Sequence, residues 1–112
     1  MTSAPARSSE ALWAELWTSL ASVLRSYLAV HGLPLNREAI FDLTEEEIVV
    51  RNDKKWLRLT RSHAILTWTR ENGSMGTLEL TESGTLRSTT HEEAMDLAAE
   101  QWAREIMLES PR

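Results

Sequence analysis

Between Ser9 and His31 the apolar residues recur at steps of three and four: Trp13, Leu16, Trp17, Leu20, Val23, Leu24, Tyr27 and Leu28. That spacing puts them on one broad face of an amphipathic helix. Ser8 or Ser9 offers a hydroxyl to the unpaired N–H groups at its start. Gly32 and then Pro34 stop it, since glycine suits the left-handed cap and proline cannot continue the hydrogen-bond ladder. Such a helix is roughly 35 Å long, enough to cross a sheet.

From Glu46 the period falls to two. Alternation predicts strands over Glu46–Arg51, Lys55–Thr60, His63–Arg70, Met75–Glu82 and Thr85–Ser88. The connections Asn52-Asp53-Lys54, Arg61-Ser62, Glu71-Asn72-Gly73-Ser74 and Glu82-Ser83-Gly84 are turn formers, too short for a parallel crossover. They predict an antiparallel meander. The stretch Leu35–Leu43 reads two ways: Asn36 can cap a short helix, or Glu38–Leu43 can form a first strand. The strand is preferred because Ile40-Phe41-Asp42-Leu43 leads directly into the meander. The last segment opens on Thr90-His91-Glu92-Glu93, a capping-box pattern. It continues with Met95, Ala98, Ala99, Trp102 and Ile106 on one helical face, with Met107 alongside, and Ser110-Pro111 ends it.

The order is helix, five or six strands, helix. An antiparallel sheet must cover one face, and two apolar-faced helices are the covers at hand. The expected fold is an α+β two-layer sandwich with both helices on one sheet face. Residues 1–8 are expected to form a disordered tail, with a single domain over 9–110. The expected core is Trp13, Leu16, Leu20, Leu24, Leu57, Leu59, Leu66, Trp68, Leu78, Leu80, Leu86, Trp102 and Ile106. With these side chains inward, alternation turns Trp56, Arg58, Thr60, Ile65, Thr67, Thr69, Thr77, Glu79 and Thr81 to the bare face, with Val49 or Val50 beside them. A slip of one residue would exchange the two sets. Trp and Arg are enriched at interface hot spots, so Trp56, Arg58, Ile65, Thr67, Thr69 and Thr77 form the candidate interface. Threonines on a bare face are also simply good strand formers in water.

Composition changes this picture in two places. The chain has 112 residues and no cysteine, which excludes disulfides, thiolate metal sites and cysteine nucleophiles. That suits a reducing, cytoplasmic setting. The net charge of −5 disfavours non-specific binding to nucleic acid or anionic lipid. The charge is uneven, however: Arg51–Arg70 holds six basic residues against one acid, leaving +5, and the remainder carries −10. A basic, aromatic run on a sheet can bind single-stranded nucleic acid, but no RNP-like, glycine-rich or helix-turn-helix signature accompanies it. These cations more simply pair with acidic neighbours in the sheet or with the acidic C-terminal helix of another copy. No run of 18 apolar residues exists, so no membrane helix is expected.

Candidate chemistry is sparse. His31, His63 and His91 share no metal-ligand spacing. His91-Glu92-Glu93 with Asp96 could hold a divalent cation on one helical turn, and Glu45-Glu46-Glu47 is a second acidic cluster. Both also read as solvated element ends. No nucleophile elbow or phosphate loop is present, so the sequence implies no catalytic, cofactor-binding or metal-binding residues. The helix–meander–helix order resembles that of the frataxins, iron-binding proteins of iron–sulfur assembly. That likeness implies a frataxin-like layout, and iron binding is not carried over with it. The acidic ridge of that family's first helix has no counterpart, because Ser9–His31 contains only Glu10 and Glu15 as acids. The expected function is therefore that of a small non-catalytic binding protein, self-associating as a homo-oligomer through its open sheet face or a helix edge, or meeting a protein partner. A ligand- or metal-binding protein is the alternative, and an enzyme stands third.

Overall fold

The computed structural model describes residues 5–108. Helix α1 spans Pro5–Gly32, and a single 3-10 turn follows at Leu33–Leu35. The strands are β1 (Ile40–Leu43), β2 (Glu47–Asn52), β3 (Lys55–Ser62), β4 (Ile65–Arg70), β5 (Met75–Leu80), β6 (Thr85–Arg87) and β7 (Glu92–Ala94). Helix α2 closes the fold at Met95–Met107. All strands lie in one antiparallel sheet in chain order, β1 to β7.

The α+β sandwich stands as expected, with two corrections. The sheet has seven strands, not five or six. The extra strand is β7, formed by residues whose local pattern reads as a helix cap. Its register sets Arg87 against Glu92 and Leu86 against Glu93, and Thr85 Oγ1 donates to Glu92 Oε2 at 2.6 Å. A ladder to β6 thus competes with, and replaces, the local capping box. Ser88 organises the turn instead, its Oγ accepting from the N–H groups of Thr90 and His91. Helix α2 begins only at Met95, with Ala94 as its cap and no side-chain cap bond. The second correction is at α1, which already runs through Ser8 and Ser9, so neither caps it, and Gly32 at its other end is right-handed rather than in the left-handed cap conformation expected. The expected tail therefore falls outside the described residues only over 1–4, and the expected stop at Ser110-Pro111 also falls outside them. The strand reading of Leu35–Leu43 is the observed one, shortened to Ile40–Leu43.

The core is one layer between the sheet and the two helices. Trp17, Leu20, Leu24 and Leu28 from α1 meet Ala98, Ala99, Trp102, Ala103, Ile106 and Met107 from α2 over a floor of Ile48, Val50, Leu57, Leu59, Leu66, Leu80 and Leu86. The floor residues share one face because their partners alternate: Ile48 pairs Leu59, Leu59 pairs Trp68, and Val50 pairs Leu57. Trp13, Leu16, Trp68 and Leu78, expected in the core, pack at its margin and are half-buried. The buried alanines of α2 let the two helices approach closely. Polar ties fasten the layers. Trp17 Nε1 donates to the Thr44 carbonyl at 3.0 Å, and Asn52 Nδ2 donates to the Ile106 carbonyl at 2.9 Å. The second bond satisfies one of the carbonyls that a helix end leaves open.

Candidate interaction face

The register resolves the two faces of the sheet residue by residue. Residues opposite one another across strands share a face. One row on the side away from the helices reads Asp42, Val49, Arg58, Thr69, Met75, and the next reads Glu47, Thr60, Thr67, Thr77. A third reads Ser62, Ile65, Glu79, Arg87, Glu92, and Arg51 sits beside Trp56. Every residue of the predicted interface, Trp56, Arg58, Ile65, Thr67, Thr69 and Thr77, is therefore on this side. Of the two valines left open, Val49 belongs to it, and Val50 is fully buried below. No described element lies over this face.

Its character is mixed rather than uniformly apolar. Ile65 is 44% and Met75 64% exposed, at opposite corners of the β4–β5 hairpin. Trp56 is half-buried, and its backbone N–H donates to Glu71 Oε1. Arg58 is hydrogen-bonded to Glu47 of the neighbouring strand, and Arg87 meets Glu79 at 2.8 Å. These exposed pairs are worth little to stability, but they neutralise Arg58 and Arg87 within the face, while Asp42, Arg51 and Glu92 stand at its margins. The centre is left to Thr60, Thr67, Thr69, Thr77 and Val49.

Four of the six cations of the basic run, Lys55, Arg58, Arg61 and Arg70, find partners inside the molecule. Arg70 pairs with Glu105 of α2 at 2.8 Å, and Lys55 Nζ donates to the Glu105 carbonyl at 3.0 Å. Arg61 turns to the helix side, where its Nη1 meets Glu10 Oε2 at 3.3 Å and the His63 carbonyl at 2.9 Å. Glu10 also accepts from His63 Nδ1 at 3.0 Å. That bond, with the neighbouring guanidinium of Arg61, holds the Glu10 carboxyl below its usual range. Glu100 is likewise lowered, first by its hydrogen bond to Arg104 and then by His31.

Neither acidic cluster is gathered for a cation. Strand alternation sends Glu92 and Glu93 to opposite faces, Glu92 bonding Thr85 and Glu93 approaching His91 at 3.6 Å. Among the described residues no group of three or more His, Asp or Glu side chains is placed to hold a metal ion. No helix among them is long and apolar enough to cross a membrane.

Two features escaped the sequence. Arg61 shares the inward face of Leu57 and Leu59, and its side chain is only 8% exposed. Extending the alternation two residues past Leu59 would have found it. A cleft of about 760 Å³ opens beside it, lined by Glu10, Ala11, Ala14, Leu43 and Glu45 among others. The other feature is Gly76, whose hydrogen faces the indole of Trp68. Searched against protein families, curated proteins and solved structures, the chain matches none. The frataxin-like layout is thus a likeness of element order alone.

Proposed function

We propose that the protein is a non-catalytic binding protein that associates with a second copy of itself through the uncovered face of its sheet. One observation carries the reading. The face that presents Val49, Trp56, Ile65 and Met75 among threonines has no described element over it, while both helices are spent on the other side. Seven strands at the usual spacing give this face on the order of 500 Å² in plan. A standard interface takes about 800 Å² from each partner. Association through it is therefore weak and concentration-dependent.

Multi-angle light scattering across a concentration series tests this. The mass rises with concentration, and Trp56→Glu, which sets a charge beside Arg51 and Val49, lowers it. A mass profile that the substitution leaves unchanged defeats the reading.

A second reading, a small-ligand binder working in a cleft between helix and sheet, is favoured by one specific observation. Arg61 Nε is buried without a hydrogen-bond partner in the structure, next to the cleft that Glu10 and Leu43 line. An unpaired buried donor calls for an explanation, and an anionic ligand with an apolar body that enters the cleft and draws the Arg61 side chain outward would supply one. That reading expects a thermal shift with a panel of carboxylates and phosphates, without change of mass.

A further inference from the structure

We propose that β1 also pairs, antiparallel, with β1 of a second copy, joining two sheets edge to edge. This use of the edge stands apart from association through the open face.

The two edges of the sheet differ. β7 is three residues long, carries Glu92 and Glu93, and runs straight into α2. Short length and charge are the usual protections of an edge strand. β1 reads Ile-Phe-Asp-Leu, and among the described residues it pairs only with β2. Among the described residues, five of the nine exposed large apolar side chains fall in the one stretch 30–43: Val30, Leu33, Leu35, Ile40 and Leu43. Ile40 stands on the open face and Leu43 on the helix side, so exposed apolar side chains flank the β1 edge on both faces. The free backbone groups of β1 follow from its hairpin. Thr44 N–H donates to the Glu47 carbonyl at 2.8 Å. Alternation then turns Asp42 and Ile40 toward β2, and Phe41 and Leu43 outward. On the helix side the edge is not walled off. The flank of α1 above it carries Ala11, Ala14, Thr18 and Ala29, which border clefts of about 760 and 460 Å³.

Self-pairing about a two-fold axis must match outward groups with outward groups, and within Ile40–Leu43 the outward residues Phe41 and Leu43 can be matched with one another in three registers. Phe41 against the partner's Leu43 sets Asp42 directly against the partner's Asp42, and like charges so placed are destabilising. Leu43 against the partner's Leu43 pairs the strand with the Glu45-Glu46 turn. Phe41 against the partner's Phe41 avoids both. It sets Ile40 against the partner's Asp42 and brings Leu43 level with the partner's Ala39, on the helix side. There the cleft formed by Leu28, Ala29, Leu33, Ala39 and Phe41 opens, so each Leu43 fills the cleft of the other copy. Farther out, Arg37 comes level with the partner's Glu45, a complementary pair made twice.

The absence of cysteine makes a register-specific test possible. In the double variant Ile40→Cys/Asp42→Cys, each new thiol faces its opposite number across the seam at a Cα separation of about 4.5 Å, within disulfide reach. In either single variant identical thiols sit diagonally, about 7–8 Å apart, beyond that reach. In a glutathione redox buffer the double variant forms a covalent dimer on a non-reducing gel, and each single variant stays monomeric. The same result in a Trp56→Glu background separates the edge from the open face. No covalent dimer from a folded double variant, or equal cross-linking by a single variant, overturns the proposal. Leu43→Lys gives a second readout on a cysteine-free chain. In the Trp56→Glu background it weakens dimerisation about tenfold or more, because each copy loses an apolar anchor. An unchanged dissociation constant, or no dimer to weaken, refutes the pairing.

Discussion

Gly76 lies opposite Trp68 in the β4–β5 ladder, and a side chain at that position has nowhere to go. A Cβ built on Gly76 would stand 2.6 Å from Cζ2 of the indole and 2.7 Å from Cε2 and Nε1. These are atoms of one rigid ring, so no flexible tip can yield. The whole ring must move, and it is held from elsewhere. The Arg70 guanidinium carbon sits 4.7 Å from the indole centroid, and Arg70 in turn pairs with Glu105 on α2. Overpacking of this kind costs about 1–3 kcal/mol. Replacing a strand glycine by alanine returns about 0.5–1 kcal/mol of chain entropy. Gly76→Ala should therefore destabilise the protein by about 1–2 kcal/mol, read as a lower urea midpoint by far-UV circular dichroism with an unchanged slope. The mechanism makes a sharper demand. In a Trp68→Leu background the clash is gone, and Gly76→Ala should be neutral or slightly stabilising. The coupling between the two sites is then about 1–3 kcal/mol. If Gly76→Ala costs nothing, or costs as much with leucine at position 68 as with tryptophan, the close approach is not what requires glycine there.

Two further expectations concern the polar ties. Glu10 and Glu100 are lowered from an ordinary value of 4.5 in the folded protein, so their ionised forms favour folding. That contribution is fully present above the ordinary value and is lost as pH falls through the lowered folded values. The urea midpoint should drop on that acid side, and Glu10→Gln or Glu100→Gln should each flatten the drop. A pH profile unaffected by both would show that these pairs carry no folding linkage. Asn52→Leu removes the donor to the Ile106 carbonyl and should cost about 1 kcal/mol. Hydrogen exchange should quicken in the last turn of α2, and unchanged exchange there would show the tie to be idle.

The sheet was readable because its information is local and periodic. Leu57 and Leu59 inward dictate Trp56 and Arg58 outward, and no knowledge of the partner strands is needed for that. The same rule placed Ile65, Thr67, Thr69 and Thr77 on the bare face. It could not choose between Val49 and Val50, because two adjacent valines satisfy either phase until the register with β3 is known. Strand β7 was hidden for the opposite reason. Thr90 and Glu93 satisfy a helix-start pattern locally, whereas pairing with Arg87 and Thr85 depends on how the chain folds back. The close approach at Gly76 was hidden, because nothing in one strand announces which side chain lies over its neighbour. The edge groove was out of reach too, since Ala14, Ala29 and Leu43 acquire a common role only when α1 settles beside β1.

Each strand is bonded to the one made just before it, so every hairpin can close as soon as its own residues exist. The layer above the sheet obeys a different timetable. Ala98, Ala99, Trp102, Ala103, Ile106 and Met107 all lie beyond the last strand, and they roof Ile48, Val50, Leu57 and Leu59 together with α1. At a synthesis rate of about 5–20 residues per second, a nascent chain carries a finished set of hairpins with an oily, half-roofed side for about 0.7–2.6 s while the 13 residues of its lid are made. During that interval the growing polypeptide is most in need of shelter.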